Sequence, residues 1–276
     1  MPALQLSFNG TFALKKEDLL KILKAAQDDI GLKDNRQGLM ERTGLGNEKV
    51  LRIKSWAKRS GLVNDQILTP EGQIVVAQDP YLNSPVTDWL MHFYLSFGDK
   101  GLSQPPNSPA DWGGWTWFVY EFVPKNSIFT ANELIGHASV AFEGTSRQNL
   151  AKNLKYVLRA YTEDEALSGI RYLQLVDKDK YSAETPELPS PYLMGYCLAL
   201  LWERDFTGAT SILTQNLWEQ HLGFATVFNL SESQFQKALN DLEYSKILEQ
   251  RREVPPFQLI RRWQNPLDLL DKAYTL

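Results

Sequence analysis

The chain has 276 residues, of which 43% are hydrophobic and 22% charged, values that are ordinary for a globular protein. Its formal net charge of −4 argues against a protein that coats nucleic acid indiscriminately, although it allows a local basic groove. The length suits one large domain or two to three small ones. A single cysteine, Cys197, excludes an internal disulfide and fits a reducing compartment.

Neither a secretion signal nor a membrane span is expected from the sequence. Residues 1–12 lack the basic segment and long apolar stretch of a signal peptide. The longest apolar run, 192–202, is too short to cross a bilayer. The sequence therefore predicts a soluble, cytoplasmic protein with no membrane partner.

The first part of the chain predicts a small domain, residues 1–78, built as a winged helix-turn-helix. Residues 4–12 alternate apolar and polar side chains, as in a short strand or an extended arm, and residues 15–26 form an amphipathic helix. A second, short helix at 36–42 ends at Gly44, which can adopt the left-handed conformation of a C-cap.

The third predicted helix of this domain, 48–60, is strongly basic. Asn47 is expected as its N-cap, and residues 62–63 and 66–68 are expected as two strands around a small wing. Between residues 33 and 61 eight basic side chains stand against three acidic ones, a local net charge of +5. A basic helix on an acidic chain is typical of a phosphate-binding face, although a solvated helix face would show the same pattern.

The middle of the chain, residues 79–183, predicts an aromatic helical core. Helices at 88–97 and 115–123 are strongly apolar and are expected to pack together, and the second stretch would also suit a buried strand. A long loop rich in proline and glycine, 98–114, separates them.

A second winged-helix-like unit is expected within this middle segment. Thr130 and Glu133 have the spacing of a capping box and open a helix. Residues 146–161 form another helix, with four basic and no acidic side chains, and paired strands at 170–175 and 180–183 follow it.

The remaining residues, 184–276, show the same order a third time. A buried helix at 192–204 and a helix at 231–248 precede strands at 247–251 and 257–261. A mixed chain can also yield such an order by chance. The predicted fold class is α+β and mostly helical, with tandem winged-helix-turn-helix-like units packed around a buried aromatic helical core.

The candidate DNA contacts are taken from the two basic helices. Lys and Arg would hold phosphates, whereas Asn and Gln near a helix N-terminus could reach base edges. The candidate DNA-binding residues are Arg36, Asn47, Lys49, Arg52, Lys54, Lys58, Arg59, Arg147, Gln148, Lys152 and Lys155. The helix at 231–248 is acidic and is expected to be structural or to contact a protein.

Catalytic candidates are fewer. The chain has no nucleotide-binding loop, dinucleotide fingerprint or zinc motif. A metal-dependent nuclease needs clustered carboxylates, and Asp88 and Glu121 could converge with Asp79 and Glu143. Asp88 could instead support its helix N-terminus, Glu121 could serve a structural ion pair, and His92 is expected as a core histidine. No cofactor is evident, and Mg²⁺ or Mn²⁺ would be required only by a nickase.

Several segments together resemble the DUF4007 family. In chain order they read FNGTFALKKEDLLK, LGNEKVLRIKSWAKRSGLV, ILTPEG, DPYLNSPVTDWLMHFYLS, WTWFVYEF and FTANEL. The resemblance covers the first half of the chain well and the C-terminal half loosely.

The resemblance implies a place in a bacterial DNA phosphorothioation defence system, which replaces a non-bridging phosphate oxygen with sulfur. The implied partners are DNA, a cysteine desulfurase, an ATPase and an ATP-pyrophosphatase-like sulfurtransferase. The family member in the single-stranded version of the system resembles a DNA-nicking component. Assembly as a homodimer is left open.

Three functional hypotheses follow from these observations. In the first, the chain is a DNA-binding component of such a system, and it could also nick one strand for sulfur insertion. In the second, it is a non-enzymatic winged-helix adaptor or transcriptional regulator. In the third, it is a protein-interaction scaffold, which predicts no salt-dependent DNA binding.

Overall fold

The computed structural model describes residues 1–184 and 186–275, which form an α+β and mostly helical fold. Its helices are α1 (Lys16–Gln27), α2 (Arg36–Thr43), α3 (Asn47–Arg59), α4 (Pro70–Gln78), α5 (Pro85–Leu95), α6 (Gly114–Trp117), α7 (Val123–Lys125), α8 (Ala131–Ala141), α9 (Arg147–Thr162), α10 (Pro191–Asp205), α11 (Thr214–Trp218), α12 (Phe224–Val227), α13 (Glu232–Tyr244) and α14 (Pro266–Thr275). Its strands are β1 (Ile128–Thr130), β2 (Gln174–Asp177), β3 (Lys180–Ser182), β4 (Ser211–Leu213), β5 (Leu248–Arg251) and β6 (Gln258–Arg261).

Helices α1 to α3 form where the sequence predicts three helices, with differences at their ends. Gly44 ends α2 in the left-handed conformation, with φ at 66°. The residue before α3 is Gly46, and Asn47 is the first helical residue, so the prediction of Asn47 as the N-cap is wrong. Residues 4–12 hold one 3₁₀ turn, Ser7–Asn9, in place of a strand.

The wing predicted at residues 62–68 is mostly irregular, and a further helix, α4, follows it. In the described chain the two predicted strands are reduced to a single bridge between Val63 and Leu68. The hydroxyl of Thr69 accepts a hydrogen bond from the amide of Gly72, and Pro70 occupies the first helical turn. Both features favour a helix start, because they satisfy or remove backbone donors that a helix leaves free.

In the middle segment, helical residues 114–125 precede a three-stranded sheet of β1, β2 and β3. A π-type turn, Phe118–Phe122, joins α6 to α7, which confirms the helical alternative for residues 115–123. Strand β3 lies between β1 and β2 and is antiparallel to both. The capping box of Thr130 and Glu133 opens α8 as predicted, and Ser146 caps α9.

The C-terminal segment repeats this order. Strand β6 lies between β4 and β5 and is antiparallel to both. Ser231 and Gln234 form a capping box at the start of α13, which ends at Tyr244, short of the predicted end. Helix α14 was not predicted, and it packs against both α10 and α4.

The core is continuous across the three predicted segments. One cluster of buried hydrophobic residues includes Trp56 from α3, Trp89 from α5 and Trp202 from α10. The division into domains 1–78, 79–183 and 184–276 stays a prediction. Among the residues described, none of the helices is long and apolar enough to cross a membrane.

Candidate nucleic-acid interface

The basic residues of α3 are largely held by contacts within the protein, and Arg59 is the clearest case. Its guanidinium carbon lies 3.9 Å from the ring centroid of Phe8, and the same group pairs with Asp99. The Arg59 side chain is 10% exposed, and burial lowers its pKa against the attraction of Asp99. A guanidinium in this position packs against the protein and already has an anionic partner, and its contact with DNA stays a prediction.

Two further cations of α3 donate to backbone carbonyls. Arg52 reaches the carbonyl of Phe8 at 3.3 Å, and Lys54 reaches that of Leu32 at 2.9 Å. Burial also lowers the pKa of Lys54. These bonds fix the segments before α1 and α2 onto α3.

The remaining lysines of α3 form ion pairs. Lys49 lies 2.7 Å from a carboxylate oxygen of Asp18, which is buried on α1. Lys58 lies 2.6 Å from Asp65, and both side chains are exposed. The second pair is open to solvent, so Lys58 is the cation of α3 that a phosphate could recruit at least cost.

The two polar candidates at the start of this region contact each other. Arg36 donates to the side-chain oxygen of Asn47 at 3.1 Å and lies 3.8 Å from Glu48. The amide oxygen of Asn47 is therefore engaged, and its contact with a base edge stays a prediction.

Helix α9 presents the opposite arrangement. Arg147, Gln148, Lys152 and Lys155 are all exposed, and the last three lie at i, i+4 and i+7 on one helical face. Neither lysine pairs with an acidic group anywhere in the described parts of the chain. Arg147 donates to the side chain of Asn132 at 3.2 Å.

The hairpin beside α9 adds two cations that sequence reasoning missed. Lys178 is exposed in the turn between β2 and β3, and Lys180 is exposed at the start of β3. The hairpin contacts α9, since Tyr181 lines a small cavity together with Lys155 and Arg159. These residues belong to the sequence Asp-Lys-Asp-Lys, which indicates a turn with no net charge. The lysines therefore could not be distinguished from ordinary turn residues.

The candidate carboxylate Asp88 is buried and ion-paired. Its carboxylate oxygens lie 2.6 and 2.8 Å from Nζ of Lys16, and the residue is 2% exposed. Burial raises the pKa of Asp88 to about 6, while Lys16 acts in the opposite direction. The nearby Asp79 uses both carboxylate oxygens to accept hydrogen bonds at the start of α5.

Glu121 has a different environment, on the π-type turn. Its side chain is 35% exposed and lies 3.4 Å from Lys125. Mg²⁺ favours several oxygen ligands in octahedral geometry. Within residues 1–184 and 186–275, no group of three or more His, Cys, Asp or Glu side chains is placed to hold a metal ion. Asp88 and Glu121, as the structure has them, do not fit a magnesium or manganese site.

Comparison with known proteins relates the chain to one family and one fold. The family model for a protein of unknown function, DUF4007, matches residues 8–274. Two solved structures are similar to this chain, one of SspB and one of magnesium ion-bound SspB. For each of them the TM-score is 0.72 and the sequence identity is 19%, and the match covers 97% of this chain and 86% of the SspB chain. At this identity the likeness shows a shared fold. No curated protein matches the chain. Because the family model spans nearly the whole sequence, the chain belongs to the DUF4007 family.

Proposed function

We propose that this chain is a DNA-binding component of a DNA phosphorothioation defence system and that α9 supplies its main phosphate contacts. The observation that carries the proposal is the exposed stripe of Gln148, Lys152 and Lys155, whose two lysines have no acidic partner in the described chain. When lysines neutralise phosphates, the cations condensed on the DNA are released, and this release supplies most non-specific affinity for DNA.

The surroundings of α9 support a winged-helix reading of this unit. The elements follow one another in the order α6, α7, β1, α8, α9, β2 and β3. In the sheet, β3 lies between β1 and β2. In helix-turn-helix proteins the second helix of the pair enters the major groove, and α9 has that position in the chain order. Lys178 and Lys180 on the adjacent hairpin would then flank the groove and contact the DNA backbone.

The polar side chains at the start of α9 suit a second kind of contact. Gln148 lies in the first turn and is exposed. A glutamine in this position could read a base edge, whereas Lys152 and Lys155, one and two turns later, would hold phosphates. The α3 residues play a lesser part in this proposal, because most of them already have partners within the protein.

The setting in phosphorothioation rests on the resemblance and on family membership. A system that places sulfur in the DNA backbone needs components that hold DNA, and the desulfurase, ATPase and sulfurtransferase would be the partners of this one. The DNA-binding part of the proposal stands on the geometry of α9 and can be tested alone.

The first experiment is equilibrium binding to labelled duplex and single-stranded oligonucleotides, followed by fluorescence anisotropy. Charge reversal by Lys152→Glu with Lys155→Glu should reduce affinity at least roughly tenfold, as expected when two phosphate contacts become repulsive. The matched control is Lys237→Glu, an exposed lysine on α13, which should bind like the parent. Equal affinity of all three proteins would refute the assignment of α9.

A second candidate function is that of an adaptor or regulator that binds DNA without cutting it. The observation that favours it is that Asp88 and Glu121 each have a cationic partner, Lys16 and Lys125. Incubation with supercoiled plasmid and Mg²⁺ or Mn²⁺ separates the candidates. Open circles that form in proportion to the protein would support nicking. DNA that is bound and stays supercoiled would support the adaptor.

A further inference from the structure

The C-terminal segment contains a groove that the DNA-binding proposal does not use. It has a volume of about 960 Å³ and lies between α11, the start of α13 and the connection from β5 to β6. The lining residues that matter here are Trp218, Glu219, Glu232, Phe235, Pro256 and Phe257.

The walls of the groove expose aromatic surface. Trp218 is 37% exposed and Phe257 is 46% exposed, and both line the same groove, so they form one aromatic surface. Trp218 is supported from one side by Phe235, with ring centroids 5.1 Å apart. A supported indole ring keeps its orientation, so a ligand meets a surface that is already ordered.

The charge of the groove is negative. Glu219 and Glu232 are exposed in its lining, and none of the residues that line it is Lys, Arg or His. Glu219 accepts a hydrogen bond from Gln215 at 2.8 Å. Phosphate groups would be repelled here, which argues against a nucleic acid as the occupant.

A cavity in the middle segment has the opposite charge. The cavity between α8 and α9 is smaller, about 290 Å³, and is lined by Lys155 and Arg159 without any acidic residue. Both segments share the order of strand, helices and hairpin, with the last strand in the centre of the sheet. The two segments therefore carry cavities of opposite charge.

We propose that the anionic groove binds an extended segment of a partner protein that presents an arginine or lysine beside aliphatic or proline side chains. The cation would lie over the ring of Trp218 and between Glu219 and Glu232, and the apolar neighbours would pack on Phe257 and Pro256. Aromatic rings attract cations through their faces, and aromatic grooves accept extended proline-bearing peptides. This site shares no residue with α9, so it can be tested independently of the DNA-binding proposal.

The test is a selection of random dodecapeptides displayed on phage against the immobilised full-length chain, followed by synthesis of the enriched peptides. Enriched sequences should carry Arg or Lys next to Pro, Leu, Ile or Val. Their affinity, measured by fluorescence anisotropy, should fall roughly tenfold for Glu219→Gln with Glu232→Gln, and by a similar factor for Phe257→Ser.

The matched controls lie on the same segment outside the groove. Glu253→Gln removes an exposed carboxylate from the same hairpin, and Tyr244→Ser removes a side chain that is 91% exposed at the end of α13. Both should bind the peptides like the parent. Enrichment of acidic peptides, equal binding by the groove variants, or no enrichment at all would each overturn the proposal. A thermal melt of each variant shows whether the fold is retained.

Discussion

The hydroxyl of Tyr161 lies 2.7 Å from Nδ1 of His92, in the middle of a hydrogen-bonded chain through the aromatic core. Trp115 donates its indole N–H to Tyr161 at 3.0 Å, and Nε2 of His92 lies 2.8 Å from the carbonyl oxygen of Val227. A carbonyl only accepts, so Nε2 carries the proton and Nδ1 accepts from Tyr161. The neutral imidazole thus joins α5 to α9 and α12.

The first prediction concerns the stability of the fold in mild acid. Burial lowers the pKa of His92 to about 4, from 6.5, against the effect of the Val227 carbonyl. Between these values the unfolded chain takes up a proton that the folded chain does not, so stability is lost as pH falls from 6.5 to 4. Urea titrations give the difference in free energy of unfolding between the parent and His92→Gln. This difference should fall by about 3 kcal/mol as the pH is lowered from 6.5 to 4.

The control for this effect is Tyr161→Phe. It removes the donor to Nδ1 but keeps the imidazole, so the pH dependence should remain while stability at pH 7 drops by about 1–2 kcal/mol. A parent and a His92→Gln variant with parallel pH profiles would show that the imidazole titrates normally in the fold.

The second prediction concerns Asp88, whose effect has the opposite sign. Burial raises its pKa to about 6, from 3.8, although Lys16 opposes the shift. The folded chain keeps a proton that the unfolded chain loses, so the stability that this group contributes is present below pH 3.8 and is lost as pH rises through 6. Relative to Asp88→Asn, the parent should lose on the order of 3 kcal/mol between pH 4 and 7.

Separate variants are needed because the two windows overlap. The residues lie one turn apart on α5, and in the parent their contributions partly cancel. A difference between parent and Asp88→Asn that stays constant with pH would mean that Lys16 keeps the carboxylate ionised in the fold.

The third prediction concerns the side chain that holds the N-terminal segment on α3. Arg59→Ala removes the stacking on Phe8 and the pair with Asp99, and should lower the free energy of unfolding by about 1–2 kcal/mol. Lys58→Ala, one residue earlier and exposed, should change it by less than about 0.5 kcal/mol. Urea unfolding of both variants makes the comparison, and equal losses would contradict a packing role for Arg59.

Two helix ends were predicted correctly from nearby residues. Gly44 ends α2 and the capping box of Thr130 and Glu133 opens α8, because capping depends on residues within three or four positions of each other. Strands β1 and β4 were not predicted, because they depend on distant residues. Each has three residues, too few to show alternation, and each exists by pairing with residues at least 45 positions later in the chain.

The candidate interface shows a second limit of sequence reasoning. Helices α3 and α9 carry the same local signal, a run of cations on an amphipathic helix. They differ because the N-terminal segment lies against α3. The carbonyl of Phe8 accepts a hydrogen bond from Arg52, and the ring of Phe8 packs against the guanidinium of Arg59. The carbonyl of Phe12 accepts a hydrogen bond from the indole of Trp56 at 3.1 Å. These partners lie 44 and more residues away, so spacing along the helix could not separate a packing helix from an exposed one.

The fourth prediction uses salt to separate the two basic helices. Each phosphate contact to duplex DNA contributes about 0.9 to the slope of log affinity against log salt concentration. If Lys152 and Lys155 hold phosphates, their double alanine variant should lower the slope by about 2 and weaken all sequences alike. The matched variant is Arg52→Ala with Lys54→Ala on α3. It should leave the slope unchanged while lowering the melting temperature, because both side chains hold backbone carbonyls. A slope that responds to the α3 pair and not to the α9 pair would move the interface to α3, and the contacts with Phe8 and Leu32 would then have to open when DNA binds.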